Sequence, residues 1–190
     1  RLRAMKPDIL CICNFGRDQA NSIKQAVDFG LNKQAKIVVP VLLYTQRLGI
    51  GAEAYEGVIG GANYYWKLQD TLPSAKAFND AYKAAYAGAY PTDYGAYGFT
   101  GMSSLLLAME KAGGTDTDKV VAALENLTYD VAKGPQHYRK CDHQSVQSVL
   151  VLQSKAKADT PDQADPFRIL AVEPASADIL RSGAELGFPS

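Results

Sequence analysis

The sequence predicts an α/β fold built around a parallel sheet. Two short apolar runs, Asp8–Cys13 and Lys36–Val41, have the composition and length of buried strands. Between them, apolar residues recur at the spacing of one helix face, at Ala20, Ile23, Val27 and Leu31. A strand, a helix and a second strand over this length form a βαβ unit, whose right-handed crossover makes the two strands parallel.

The rest of the chain alternates helical and strand patterns. A glycine-rich stretch at 54–62 predicts a hinge between a helix and a strand. Helices are then predicted from Thr71 to Tyr90, from about Asp93 to Lys111, and from the capping sequence at Thr115 to Asp118. In the second of these we expect an inward face made of Tyr94, Tyr97, Leu105, Leu106 and Met109. Strands follow at Val146–Leu152 and Phe167–Val172, and a last helix is predicted at Ala175–Leu186.

Composition excludes several classes of function. Lys plus Arg and Asp plus Glu number 20 each, so the chain has no net charge to attract nucleic acid or anionic lipid. The sequence contains no apolar run approaching the roughly 20 residues that cross a bilayer. It begins at Arg1 without an initiator Met or a secretory core, so we expect that a signal was removed or, preferably, that the chain is an internal segment of a longer protein.

The cysteines and histidines give no strong indication of chemistry. Cys11 and Cys13 are two apart on a predicted strand and share a face, where burial as small hydrophobes is the favoured interpretation over a metal or redox pair. Cys141, Asp142 and His143 are adjacent in sequence, but adjacent residues on a strand point apart, which disfavours a catalytic set. We predict no catalytic residues, no metal site and no cofactor.

The predicted ligand site lies where parallel strands end. Asn14, Phe15, Gly16 and Arg17 separate the first strand from the next helix, and Val41, Leu42, Leu43 and Tyr44 follow the second strand. Open α/β sheets bind ligands at these carboxyl ends, where helix N–H groups attract an anion. An aromatic-rich stretch from Tyr64 to Tyr97 predicts packing residues and a few ligand contacts, of which Tyr94 is the candidate.

Several separate passages also resemble one known family. They are Lys6-Pro7-Asp8 before an apolar strand, Ile23-Lys24-Gln25-Ala26 through Phe29-Gly30-Leu31, Glu56-Gly57-Val58, Ala77-Phe78 with Tyr82, Tyr97 through Ala108-Met109, and Asp142-His143-Gln144. In this order and spacing, over about Lys6 to Gln153, they resemble the branched-chain amino acid type of ABC-transporter substrate-binding protein.

The resemblance implies a type I periplasmic-binding fold, with parallel sheets flanked by helices and two lobes joined by a hinge. The N-terminal half of such a protein would be missing. Residues 1–60 would then be a βαβ segment of lobe two, residues 61–140 a mainly helical segment of lobe one, and residues 141–190 a hinge return with lobe-two strands and a C-terminal helix.

The resemblance further implies a periplasmic solute-binding protein that closes over a small metabolite and delivers it to a membrane permease. Phe15 matches an aromatic residue that lines the cleft, and Val41–Leu43 fall where amino-acid binders carry a carboxylate for the ligand ammonium. The expected ligand is an amino acid, an aromatic acid or a related amide. Because those positions are apolar here, an aromatic carboxylate or another less cationic metabolite fits better than Leu, Ile or Val, with Arg17 facing a carboxylate. A ligand-sensing receptor domain of the same fold and a hydrolase using Cys141 or Cys13 are the alternatives.

Overall fold

The structure, a computed structural model, describes residues 2–176 and 180–188. Two units are formed by the described residues. Unit 1 is drawn from Arg1–Ala62 and Leu150–Val172, and unit 2 from Asn63–Val149 and Glu173–Ser190. The chain therefore passes from one unit to the other after Ala62, after Val149 and after Val172.

Helices and strands follow the chain in this order: α1 Leu2–Met5, β1 Ile9–Cys11, α2 Gly16–Asp28, β2 Lys36–Val39, α3 Tyr44–Ile50, α4 Ala52–Tyr55, β3 Ile59–Ala62, α5 Pro73–Ala85, α6 Asp93–Ala112, α7 Thr117–Leu124, β4 Thr128–Tyr129, β5 Gln136–Tyr138, β6 Ser145–Val146, β7 Val149–Ser154 and β8 Phe167–Glu173. Short 3₁₀ turns occupy Leu31–Lys33, Trp66–Asp70, Lys157–Asp159 and Ala184–Leu186.

Unit 1 is organised around one five-stranded sheet with the order β1-β2-β3-β7-β8. Strands β1, β2 and β3 are parallel, with Leu10 opposite Ile37 and Val38 opposite Ile59. This confirms the predicted α/β fold and its βαβ unit. Strand β7 runs antiparallel to β3. Ile37 and Val39 of β2 are buried, whereas β1 is largely exposed, with Ile9 exposed by 61%.

Close packing at β3 explains why the chain needs glycine there. A Cβ atom on Gly60 would stand 2.6 Å from Val39 Cγ2 and 2.7 Å from Leu42 Cβ, and one on Gly61 would stand 2.7 Å from the Pro40 carbonyl oxygen. Such distances are far below van der Waals contact. The glycines that predicted a hinge from the sequence therefore serve here to let β3 approach the chain that leaves β2.

Unit 2 combines α5, α6 and α7 with a three-stranded antiparallel sheet of order β4-β5-β6. Its helix pair α6 and α7 buries Ala108, Val120 and Ala123. The predicted capping sequence at Thr115 to Asp118 is confirmed, because Asp116 Oδ1 accepts a hydrogen bond from the Lys119 N–H at 3.1 Å. Thr92 caps α6 in the same way, since its Oγ1 accepts a hydrogen bond from the Gly95 N–H at 3.1 Å.

A buried lysine holds the two ends of this unit together. Lys133 Nζ donates to the carbonyl oxygen of Asn63, to Gln147 Oε1 at 3.0 Å and to the carbonyl oxygen of Ser148 at 2.8 Å. Burial lowers the pKa of Lys133 to about 7. Asn63 opens unit 2, and Ser148 lies next to the residue where its main segment ends.

Three sequence predictions, two about burial and one about a helix near the C-terminus, are wrong. Helix α6 was expected to be largely buried, yet Tyr94, Tyr97 and Leu106 of its supposed inward face are exposed, Leu106 by 57%. The apolar residues of α6 surround much of the helix, so their spacing does not define its buried side. Cys11 and Cys13 were expected to be buried and are exposed.

The helix expected at Ala175–Leu186 is also absent from the described residues of that range, which contain only the 3₁₀ turn at Ala184–Leu186. The rest of this prediction, at residues 177–179, lies outside the described part. Across the described chain, the helices are too short or too polar to span a membrane.

Candidate functional site

The loops that leave β1 and β2 form the candidate site in unit 1. Asn14 and Phe15 connect β1 to α2, and Val41 to Leu43 connect β2 to α3. Because β1 and β2 are parallel neighbours, both loops emerge at the same edge of the sheet. This is the position at which open α/β sheets bind ligands.

A glutamine that the sequence reasoning missed joins these two loops. Gln19 is fully buried in the first turns of α2, and its Nε2 donates at 3.1 Å both to the carbonyl oxygen of Asn14 and to that of Val41. One side chain therefore fixes the loop after β1 to the loop after β2. The signal available in the sequence was a polar residue directly beside the apolar stripe that begins at Ala20.

Helix α2 begins without a side-chain cap. Phe15 occupies the cap position, and no side chain accepts a hydrogen bond from the first turn. Gly16 has φ +61°, a left-handed conformation that favours glycine. The first N–H groups of a helix have no partner within the helix, so an uncapped start leaves donors for an external anion. Asp18, in the same turn, carries a negative charge that repels an anion. Anion binding at this helix start therefore depends more on a positively charged neighbour.

The side chains of these loops divide into exposed and buried groups. Asn14, Phe15 and Arg17 are exposed, Phe15 by 56%, and Val41 is exposed by 36%. No hydrogen bond or ion pair of the Arg17 side chain is found within residues 2–176 and 180–188. Asn14 Nδ2 donates to Ser22 Oγ at 3.0 Å. The role of these exposed residues as ligand contacts stays a prediction.

Leu42, Leu43 and Tyr44 are instead buried within unit 1. The Leu42 N–H donates to the Gly61 carbonyl oxygen at 2.7 Å, and the Tyr44 hydroxyl donates to that of Ala164 at 3.2 Å. These three side chains support the loop from below, so their role as ligand contacts stays a prediction.

Tyr94 lies in unit 2, in the first turn of α6. Its side chain is 54% exposed, and its ring meets that of Tyr97 edge to face with centroids 6.1 Å apart. An exposed aromatic ring with one supported edge suits stacking on a planar ligand, and its participation in binding stays a prediction.

The sequence Cys141-Asp142-His143 forms a structural turn between β5 and β6. Asp142 accepts from Arg139 Nε at 2.9 Å and from the Gln144 N–H at 3.1 Å, and the Arg139 hydrogen bond lowers the pKa of Asp142 to about 2. His143 Nε2 lies 3.0 Å from Glu125 Oε1. The Cys141 thiol donates to Asp142 Oδ1 at 3.7 Å, and no hydrogen bond between Cys141 and either histidine is found among the described residues.

A metal cluster of the usual kind is not found either. Among the residues that the structure describes, no three His, Cys, Asp or Glu side chains come together as a possible ligand set.

Comparison with known proteins agrees with the fold. A family model described as periplasmic binding protein matches residues 1–160. The chain is 26% identical to an amino acid ABC transporter substrate-binding protein from Pseudomonas fluorescens Pf-5, with a TM-score of 0.83, over 100% of this chain and 49% of that one. A search of curated proteins finds no match.

Two further solved structures share the fold. A leucine binding protein from Thermotoga maritima MSB8 is 24% identical, with a TM-score of 0.74, over 91% of this chain and 46% of that one. A solute binding protein of an ABC transporter from Rhodopseudomonas palustris BisB5, in complex with 3,4-dihydroxy benzoic acid, is 22% identical, with a TM-score of 0.69, over 94% of this chain and 49% of that one.

The chain thus spans about half the length of the solved structures that it matches. The resemblance inferred from its sequence passages is confirmed by a family model that covers most of the chain. The chain belongs to the periplasmic binding protein family.

Proposed function

We propose that this chain is part of an extracytoplasmic, periplasmic solute-binding protein that supplies a small metabolite to the permease of an ABC importer. One observation carries the proposal. The uncapped start of α2, with Phe15 and Arg17 exposed beside it, lies at the carboxyl end of the parallel strands and is fixed by Gln19. A preformed site of this kind binds a ligand without first ordering its own loops.

The chemistry of the loops favours an aromatic carboxylate or a related amide. The N–H groups of the α2 start and the Arg17 guanidinium match a carboxylate, and the exposed Phe15 ring matches an aromatic body. Val41 offers no counter-charge to a ligand ammonium. The structural neighbour that holds 3,4-dihydroxy benzoic acid supports this class of ligand.

The mechanism follows from binding alone. A ligand held by this site and by an opposing surface of the whole protein stabilises the closed form through contacts made only in that form. Closure then presents a surface to the permease. No bond in the ligand is made or broken, so neither a nucleophile nor a cofactor is needed.

Alanine at Arg17 tests the proposal. In the full-length protein, Arg17→Ala should weaken binding of an aromatic carboxylate by about tenfold or more, because a charged hydrogen bond is lost. Lys24→Ala is the matched control, since Lys24 is an exposed cation on the same helix two turns away. Isothermal titration with benzoate, 3,4-dihydroxybenzoate, benzamide and leucine measures both variants.

The ligand panel separates the possible outcomes. Tight leucine binding that is unchanged by Arg17→Ala would contradict the assigned ligand class. Equal losses in Arg17→Ala and Lys24→Ala would show a general charge effect and would remove the specific role of Arg17.

A further inference from the structure

Two of the points at which the chain passes between the units are neighbours in one sheet. Strands β3 and β7 are antiparallel partners, and the last pair of their register joins Ala62 to Leu150. The chain leaves unit 1 directly after Ala62 and re-enters it at Leu150. Residue 63 and residues 148–149, which continue these strands into unit 2, are called here the two crossing segments.

The ammonium group of Lys133, between β4 and β5, binds both crossing segments. Its Nζ donates to the carbonyl oxygen of Asn63 on the first segment and, at 2.8 Å, to that of Ser148 on the second. The Ser148 hydroxyl in turn donates to the Lys133 carbonyl oxygen at 3.3 Å. The third acceptor, at 3.0 Å, is Oε1 of the Gln147 side chain. One lysine therefore joins the backbone of the two segments.

The connection made by Lys133 is buried. The residue is only 4% exposed, and its three acceptors are uncharged oxygens. An ammonium group has three N–H donors, so these acceptors match all of them. An apolar side chain could fill the same space, but it could not hold two backbone carbonyl oxygens at a fixed separation. Its presence would leave both oxygens without this donor.

We propose that Lys133 is a positioning residue for hinge closure, which fixes the spacing of the two crossing segments so that opening and closing follow one path. The inference rests on the proposed function, because closure is the motion that this function requires. Hinges absorb their movement in a few backbone angles. Lys133 holds the segments on the side of unit 2, so the movement is confined to the few residues beyond its contacts. It acts through backbone and touches no solute.

Distance measurements by electron spin resonance on the full-length protein test this role without any solute. With all native cysteines changed to serine, nitroxide labels at Lys33→Cys in unit 1 and Lys119→Cys in unit 2 report the distribution of distances between the units. Both positions are exposed lysines. Lys133→Met should broaden this distribution about twofold or more, because the two segments are no longer joined.

Gln147→Ala is the matched control, since it removes the third acceptor but leaves both backbone contacts of Lys133. It should lower the stability and keep the wild-type width of the distribution. An unchanged width in Lys133→Met, or equal broadening in Gln147→Ala, would overturn the positioning role. Circular dichroism checks folding. Lys133→Gln, whose amide has only two N–H donors, takes the place of Lys133→Met if that variant does not fold, and the same broadening is expected.

Solute binding is a separate readout in the same proteins. Lys133→Met should raise the rate of solute dissociation about threefold or more, because the closed form is held less well, whereas Gln147→Ala should leave the rate unchanged. If wild type binds no solute of the panel but its distance distribution broadens in Lys133→Met alone, the proposed solute function fails and the hinge role of Lys133 stands. If solute binds and neither readout responds to Lys133→Met, the hinge role fails and the proposed function stands.

Discussion

Helices α2 and α6 begin in opposite ways. The first N–H groups of α6 are capped by Thr92, a side chain of the same segment, whereas α2 follows Phe15, which has no acceptor to offer. The capped start needs nothing from outside the protein. The uncapped start leaves N–H donors at the edge of the sheet, beside Arg17, whose side chain has no hydrogen bond or ion pair among residues 2–176 and 180–188. The two helix starts therefore differ in whether N–H donors remain for an external acceptor, and this difference is the basis of the ligand site proposed at α2.

A similar difference separates Lys133, in the interior of unit 2, from Arg17, at the candidate site in unit 1. All three described acceptors of Lys133 are uncharged oxygens supplied by unit 2 itself, so this cation is satisfied without a ligand. Arg17 in unit 1 has no such partners among the described residues. Lys133 thus has a structural role, whereas Arg17 has the exposed, unoccupied side chain that the proposed ligand site requires.

The pH dependence of stability should show the largest effect. The pKa of Lys133 is about 7 when folded and about 10.4 when unfolded, so between these values the unfolded chain binds the additional proton. The free energy of unfolding should therefore rise from pH 7 to pH 10, by up to about 4 kcal/mol from this group. Urea denaturation of wild type and Lys133→Met measures the difference.

Lys140→Met, at an exposed lysine of the same unit, serves as the control and should keep the wild-type slope. An equal rise in wild type and Lys133→Met would mean that Lys133 stays protonated when folded, held by its three acceptors.

Gln19→Ala should cost about 2 kcal/mol of unfolding free energy, because two hydrogen bonds are lost and the carbonyl oxygens of Asn14 and Val41 lose their partner. Solute affinity should fall together with the stability, because the loops after β1 and β2 are no longer held together by Gln19. Denaturation and titration measure the two effects. Gln25→Ala, at an exposed glutamine on the same helix, should be nearly neutral, and equal losses in both variants would contradict the bridging role.

Thr92→Ala should cost about 1 kcal/mol, the usual value of a helix cap, without changing solute binding through α2. Thr100→Ala, inside the same helix, is the control and should be neutral or slightly stabilising. A comparable loss in Thr100→Ala would show that side-chain packing, and not the cap, is responsible.

The smallest expected effect comes from adding a cap to α2. Phe15→Ser should raise the unfolding free energy by about 0.5 kcal/mol, because the serine oxygen accepts a hydrogen bond from the first turn. The same change should weaken solute binding, since it removes the ring and occupies the donors. A variant that gained both stability and affinity would refute the comparison between the two helix starts.

Local rules predicted most of the fold from the sequence. Thr92, Asp116 and Gly113 mark helix ends through contacts a few residues away, and the strand runs at Asp8–Cys13 and Lys36–Val41 lie close to β1 and β2. What failed depends on distant partners. The buried side of α6 is set by what packs on it, which its own spacing does not reveal.

Only part of the candidate site could be predicted from the sequence, because its other features also depend on distant partners. The position of Asn14 to Arg17 follows from the order of strand and helix, but the role of Gln19 depends on Val41, which is near only in the folded sheet. The burial of Leu42 to Tyr44 likewise depends on partners such as Ala164, far along the chain.

The pairing of β3 with β7 also governs how the molecule is made. These strands flank the whole main segment of unit 2 in the sequence, yet Gly60 and Leu152 are partners in one sheet. During synthesis, β3 therefore has no partner on that side until β7, which follows the main segment of unit 2, has left the ribosome. Non-local pairing of this kind forms slowly and leaves one edge of β3 unpaired in the meantime, so the sheet of unit 1 cannot be completed before the main segment of unit 2 has been made.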